Sequence, residues 1–145
     1  MPERPYRIFG RSLPMSLLRA RETVVQRFRP MLRRHGLNDQ QWRVLRVLAE
    51  RTEVTATDLA EEAAVLSPSL SRILPVLEAR GLIGRKTGIS DQRHSLIALA
   101  PAGRALFEQV AEDFELIYAQ MAQDFGQARL TRLHAELEAL RQALS

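Results

Sequence analysis

The segment SPSLSRILPVLEARG, residues 67–81, constrains this chain more than any other. Ser67 is placed to cap a helix, and Pro68 takes the first helical position, where its missing N–H costs nothing. Gly81 closes the helix as a residue with positive φ would. Just upstream, VTATDLAEEAAV predicts a second short helix. Thr55 is its cap, and Asp58 sits in the first turn, where the helix dipole favours an anion. Two short helices joined by a turn of about three or four residues make a helix-turn-helix. The chain then enters LIGRKTGISDQRHSLIAL, two strand-forming runs about a loop with Gly88, Ser90 and Asp91. That predicts one isolated β-hairpin carrying Arg85, Lys86, Arg93 and His94.

Helices flank this unit on both sides. Leu13 to Arg34 has an apolar stripe at helical spacing through Leu17, Val24, Phe28, Met31 and Leu32, and Gly36 ends it. Asn38 with Gln41 forms a capping box for the next helix, and Leu37 and Trp42 occupy the hydrophobic-staple positions. That helix runs to about Arg51. Pro101 starts another, reaching about Phe125, where Gly126 breaks it. The last helix spaces Leu130, Leu133, Leu137, Leu140 and Leu144 by alternating threes and fours, an apolar seam of two heptads. Terminal helices with such faces are expected to pack against a second copy of the chain.

Enzyme readings fail quickly. His35, His94 and His134 fall in three different elements, none at metal-ligand spacing. There is no cysteine, no GxSxG elbow and no glycine-rich phosphate loop. No cofactor is implied. The absence of cysteine fits a cytoplasmic setting, no apolar run is long enough for a membrane span, and MPERPYRIFGRS lacks the apolar core of a signal peptide.

Charge points elsewhere. Residues 1–48 hold eleven Arg against three acids, whereas residues 105–145 hold three Arg against seven acids. A basic front half suggests a polyanion or an anionic ligand. A recognition helix must offer small polar and cationic groups near its N-terminus, and this one offers Ser67, Pro68, Ser69, Ser71 and Arg72. The hairpin that follows is then a wing whose tip reaches the adjacent minor groove, with Arg93 as the probe. Asp91, two residues earlier, is placed to accept from that guanidinium and hold it extended.

On these residues the chain resembles the MarR family of winged-helix regulators of antibiotic and aromatic-compound responses. The resemblance rests on VTATDLAEEAAVLSPSLSRILPVLEARGLIGRKTGISDQRHSLIALAPAGRALF and covers nearly the whole length. It implies a mainly α, winged helix-turn-helix fold with one β-hairpin wing and terminal dimerisation helices. The whole of 1–145 is then one domain, with a DNA-binding lobe over 38–99 and dimerisation helices over 13–36 and 101–145. The implied partner is double-stranded, pseudo-palindromic operator DNA, bound by a homodimer. The implied DNA contacts are Ser69, Ser71, Arg72, Arg85, Asp91 and Arg93. Two positions depart from the family pattern. Pro75 lies in mid recognition helix, where it should kink the helix by removing the bond to the Ser71 carbonyl. Ala100 stands where a Thr or Ser cap is common, which should weaken the next helix start by about 1 kcal/mol.

LLRARE, RFRPMLRRHGL and QQWRVLRVLAE are similar to the homoprotocatechuate-degradation (HpaR-type) branch of that family. This implies a small aromatic carboxylate or catechol effector. Arg19, Arg21, Trp42 and Arg43 are the candidate ligand residues, a Trp wall with guanidinium groups for a carboxylate. These arginines equally suit interhelix salt bridges or solvated surface. The expected function is therefore an operator-binding repressor released by an aromatic acid. The rivals are an architectural or nonspecific DNA-binding protein without effector, and a dimeric interaction module that has lost DNA binding.

Overall fold

The computed structural model describes residues 12–88 and 91–145, and the side chains of residues 87–94 also lie outside the description. The elements run α1 Leu13–Arg34, α2 Asp39–Glu50, β1 Val54–Thr55, α3 Ala56–Ala63, α4 Ser67–Ala79, β2 Ile83–Gly88, β3 Asp91–Leu99, α5 Pro101–Phe125 and α6 Gln127–Leu144. The chain forms two units, Met1–Val110 and Ala111–Ser145.

In the first unit, local chemistry sets most boundaries. Ser12 Oγ accepts from the Met15 N–H at 3.2 Å and starts α1. The Asn38 side chain accepts from Gln41 N at 2.8 Å while Gln41 Oε1 accepts from Asn38 N at 3.0 Å, completing the capping box. The staple residues Leu37 and Trp42 are both buried. Thr55 Oγ1 accepts from Asp58 N at 3.2 Å. Gly36 and Gly81 take φ of +69° and +73°, which a residue with a Cβ adopts only under strain. That turn lets Leu37 N and Leu82 N reach back to the Leu32 and Leu77 carbonyls, a Schellman closure on each helix.

Three expectations change. Ser67 does not cap α4. Leu66 does, with extended backbone and no side-chain cap bond, because its carbonyl already accepts from Leu70 N at 2.9 Å. Ser67 is thus the first helical residue, with Pro68 behind it. Nor is the hairpin isolated: β1 pairs antiparallel with β3, Val54 opposite Ile97 and Thr55 opposite Leu96, giving a sheet of order β1-β3-β2. A strand of two residues that merges into a helix cap has no periodicity to read. Finally, Asp91, placed in the loop from sequence, begins β3 and pairs with Gly88 across an irregularity after Lys86. As for Pro75, α4 is helical on both sides of it to Ala79, although Pro75 has no N–H for the Ser71 carbonyl.

The core joins α1, α2, α3, α4 and the sheet through Met31, Leu45, Leu59, Leu74, Leu77 and Ile97, all essentially inaccessible to water. Gly103 of α5 sits against the α4–β2 turn. There the Leu82 carbonyl accepts from Ala100 N at 2.9 Å, while the Ala100 carbonyl accepts the first helical bond, from Arg104 N. In the second unit Tyr118 Oη and His134 Nε2 are hydrogen-bonded at 2.7 Å, Phe114 stacks on Tyr118, and Arg129 lies over the Phe125 ring. Leu130 of the apolar seam is buried, whereas Leu133, Leu137 and Leu144 are exposed.

Candidate nucleic-acid interface

The surface of α4 follows from its core face. Leu70, Ile73, Leu74 and Leu77 are buried, so the remaining positions turn outward. Ser69 is half-buried, and Ser71 and Arg72 are exposed. The Ser71 hydroxyl donates to the Ser67 carbonyl at 3.1 Å, so in this state it is satisfied within the helix. A cleft of about 390 Å³ opens between α3, α4 and β2, lined by Ala56, Thr57, Ser67, Ser71, Pro75 and Arg85 among others. The structure therefore brings Ser71 and Arg85 to one cleft. Arg85 Nε also lies 3.1 Å from Glu78 Oε1, which offsets part of its charge. Lys86 pairs with Glu53 at 3.1 Å. Asp91 and Arg93 belong to β3 by backbone, and their side chains lie outside the described residues.

The four candidate ligand residues are less of a unit. One carboxylate, Asp39 in the first turn of α2, gathers two of them: Arg21 at 2.5 Å and Arg43 Nε at 3.4 Å. Arg43 also donates to the Ala64 carbonyl at 3.0 Å, closing α3 where Ala64 adopts the left-handed conformation. Trp42 is buried and stacked on Phe107, ring centroids 5.3 Å apart and planes 16° from parallel. Arg19 is exposed, and its carbonyl accepts from the Thr23 hydroxyl. Further along α1, Arg29 bonds Glu22, and that hydrogen bond draws the Glu22 carboxyl below the ordinary carboxylate range. A smaller cavity of about 220 Å³ at the α1–α2 junction is lined by Arg29, Leu32, Arg33, Leu37, Asn38 and Asp39. None of the four candidates lines it.

Sequence reasoning missed Asp39 as the anion between Arg21 and Arg43, and Phe107 as the ring on Trp42. An acid at the first position of α2 was a visible signal, but it reads equally as a dipole partner. It also missed Arg80, whose guanidinium donates to the Gly36 carbonyl at 2.7 Å and the His35 carbonyl at 3.4 Å. Arg80 thereby satisfies the C-terminus of α1 from the end of α4.

Among the described residues there is no group of three or more His, Cys, Asp or Glu able to hold a metal, and no helix long and apolar enough to cross a membrane.

Comparison with known proteins agrees with this geometry. The sequence pattern of the MarR family matches residues 35–94. The homoprotocatechuate degradative operon repressor of Escherichia coli is 40% identical over 127 residues, covering 88% of this chain and 86% of that protein. The crystal structure of transcriptional regulator PA4135 superposes with a TM-score of 0.86 at 37% identity, over 90% of this chain and 96% of that one. NadR in complex with 4-hydroxyphenylacetate superposes with a TM-score of 0.79 at 34% identity, over 97% of each chain.

Proposed function

Because the chain belongs to the MarR family, we propose that it is a dimeric repressor of an aromatic-acid catabolic operon, released from its operator by a small aromatic carboxylate. The observation that carries the DNA-binding part is the α4 surface. Ser69, Ser71 and Arg72 occupy the first turns of the second helix of a helix-turn-helix, and the wing strand brings Arg85 to the cleft beside Ser71. This is the arrangement that major-groove reading with a flanking wing requires. The wing pair Asp91 and Arg93 extends it toward the minor groove. The effector part is supported by the relatives: the Escherichia coli protein is named for a homoprotocatechuate operon, and NadR has been solved with 4-hydroxyphenylacetate. In this chain Arg19, Arg21, Trp42 and Arg43 are the proposed ligand residues.

Dimerisation is supported by the exposed apolar residues of the terminal helices: Leu13, Leu17 and Leu18 on α1, and Leu133, Leu137 and Leu144 on α6. Left in water, these would cost a monomer solubility. Two lobes held about one helical turn apart, ~34 Å, are also what a pseudo-palindromic operator demands. Sedimentation at micromolar concentration is expected to give twice 16.5 kDa. A compact monomer under those conditions removes both the dimer and the paired half-site model.

One observation favours a second reading, a DNA-binding protein without effector. Arg21 and Arg43 already share the Asp39 carboxylate, so an incoming acid must compete with an internal anion. Under that reading no aromatic acid changes operator affinity. DNA binding and the dimer are common to both.

A further inference from the structure

Leu66 stands at the start of the recognition helix and is 78% exposed, flanked by exposed Ser67 and Pro68. It is unfavourable there twice over. It leaves apolar surface in water, and it occupies an N-cap position while offering no oxygen to the orphan N–H groups of the first turn. Helices α1, α2 and α3 start instead on Ser12, Asn38 and Thr55, each accepting a backbone N–H. A single exposed leucine is unremarkable by itself. A leucine that also displaces a cap, at the end of a helix that reads base edges, suggests a contact made only on DNA. The residues at that end of a recognition helix meet the major-groove edges, and the one apolar group presented there is the thymine 5-methyl.

We infer that Leu66 is a specificity-determining residue that packs on a thymine methyl in each operator half-site. The inference rests on the operator-binding reading above. Its neighbours divide the work: Ser69, Ser71 and Arg72 supply polar contacts, and Leu66 supplies the apolar one. The contact buries about one methyl equivalent, which is worth about fourfold in affinity per half-site.

The test uses duplexes selected by the wild-type protein from a random pool, then resynthesised with deoxyuridine replacing one thymidine pair at a time. Deoxyuridine pairs as thymidine does and lacks only the methyl. Wild type is expected to lose about fourfold per half-site at one symmetric position. Leu66→Asn and Leu66→Ala are expected to bind more weakly and to be indifferent to the methyl at that position alone. Leu66→Asn is also expected to melt about 2–4 °C above wild type, because it restores a cap. If every uracil duplex affects wild type and both variants alike, or if Leu66→Asn melts below wild type, the inference is overturned while operator binding stands. If no duplex is enriched by the wild-type protein, the operator-binding reading fails and takes the inference with it.

Discussion

Arg93→Ala is expected to weaken operator binding by about 1–3 kcal/mol per wing, as the loss of a charged contact does. The two wings of a dimer are far enough apart to add. The total is then about 2–6 kcal/mol, or more than tenfold even at the low end. Asp91→Ala is expected to weaken binding as well, although it removes a negative charge from a wing proposed to lie against phosphates. That sign is informative. If Asp91 only repelled the backbone, its removal would tighten binding. If it orients the Arg93 guanidinium, its removal leaves the probe disordered and the contact is lost. Both variants are read by fluorescence anisotropy on a selected operator duplex across a salt series. Wild-type affinity is expected to fall by about a thousandfold or more between 50 and 200 mM salt, through counterion release. Arg93→Ala should show a shallower slope than wild type, because it releases fewer counterions. An Asp91→Ala protein that binds more tightly would remove the orienting role.

Gly103→Ala is expected to cost about 3 kcal/mol of folding stability, at the upper end for overpacking. A Cβ built there overlaps the Leu82 carbonyl oxygen and comes within 3.0 Å of the Leu99 side chain. The Leu82 peptide cannot easily yield. Its carbonyl is bonded to Ala100 N and its N–H to the Leu77 carbonyl, so it is tied to α4 and to the start of α5 at once. Thermal unfolding should show a drop of roughly 6–12 °C for a domain of this size. Gly84→Ala is the control. A Cβ there meets nothing within 4 Å, and stability should change by no more than about 0.5 kcal/mol. Equal effects at the two glycines would contradict the packing argument.

What could be read from the sequence was mainly what is decided within a few residues. The Asn38–Gln41 capping box, the Thr55 cap and the positive φ of Gly36 and Gly81 depend on local spacing, and all are present. The winged-helix family was legible too, because the pattern from LEARGLI to the glycine of PAGRALF combines a helix end, two strands and a close helix approach. Gly103, which closes that pattern, is the residue with no room for a side chain. The rest depended on partners far along the chain. β1 exists only because Ile97 and Leu96 lie beside it. Arg80 finds its acceptors more than forty residues upstream. Arg21 and Arg43 are joined by an acid whose nearness to α1 comes from helix packing rather than from spacing. Leu66 took the cap position from Ser67 because helix α4 begins one residue earlier than the Ser-Pro pair suggests, and both choices satisfy the local rules. Among the candidate DNA contacts, Ser71 and Arg85 were placed on the right elements, but their bonds to the Ser67 carbonyl and Glu78 were not legible.

Ligand can disfavour the operator-bound arrangement only by binding another arrangement better, and a tenfold release needs about 1.4 kcal/mol of that preference. A carboxylate–guanidinium pair in a partly buried site is of the right size to supply it. Protein bound to a selected operator duplex is titrated with 4-hydroxyphenylacetate and homoprotocatechuate up to millimolar concentration, for wild type, Arg19→Ala and Arg43→Ala. Arg43 also closes α3, so its variant is checked for melting temperature first, whereas Arg19 is exposed and gives the cleaner comparison. At least tenfold release of wild type by one of these acids is expected, with release lost in one of the two variants while its DNA affinity is kept. Operator affinity that no aromatic acid shifts would contradict that expectation.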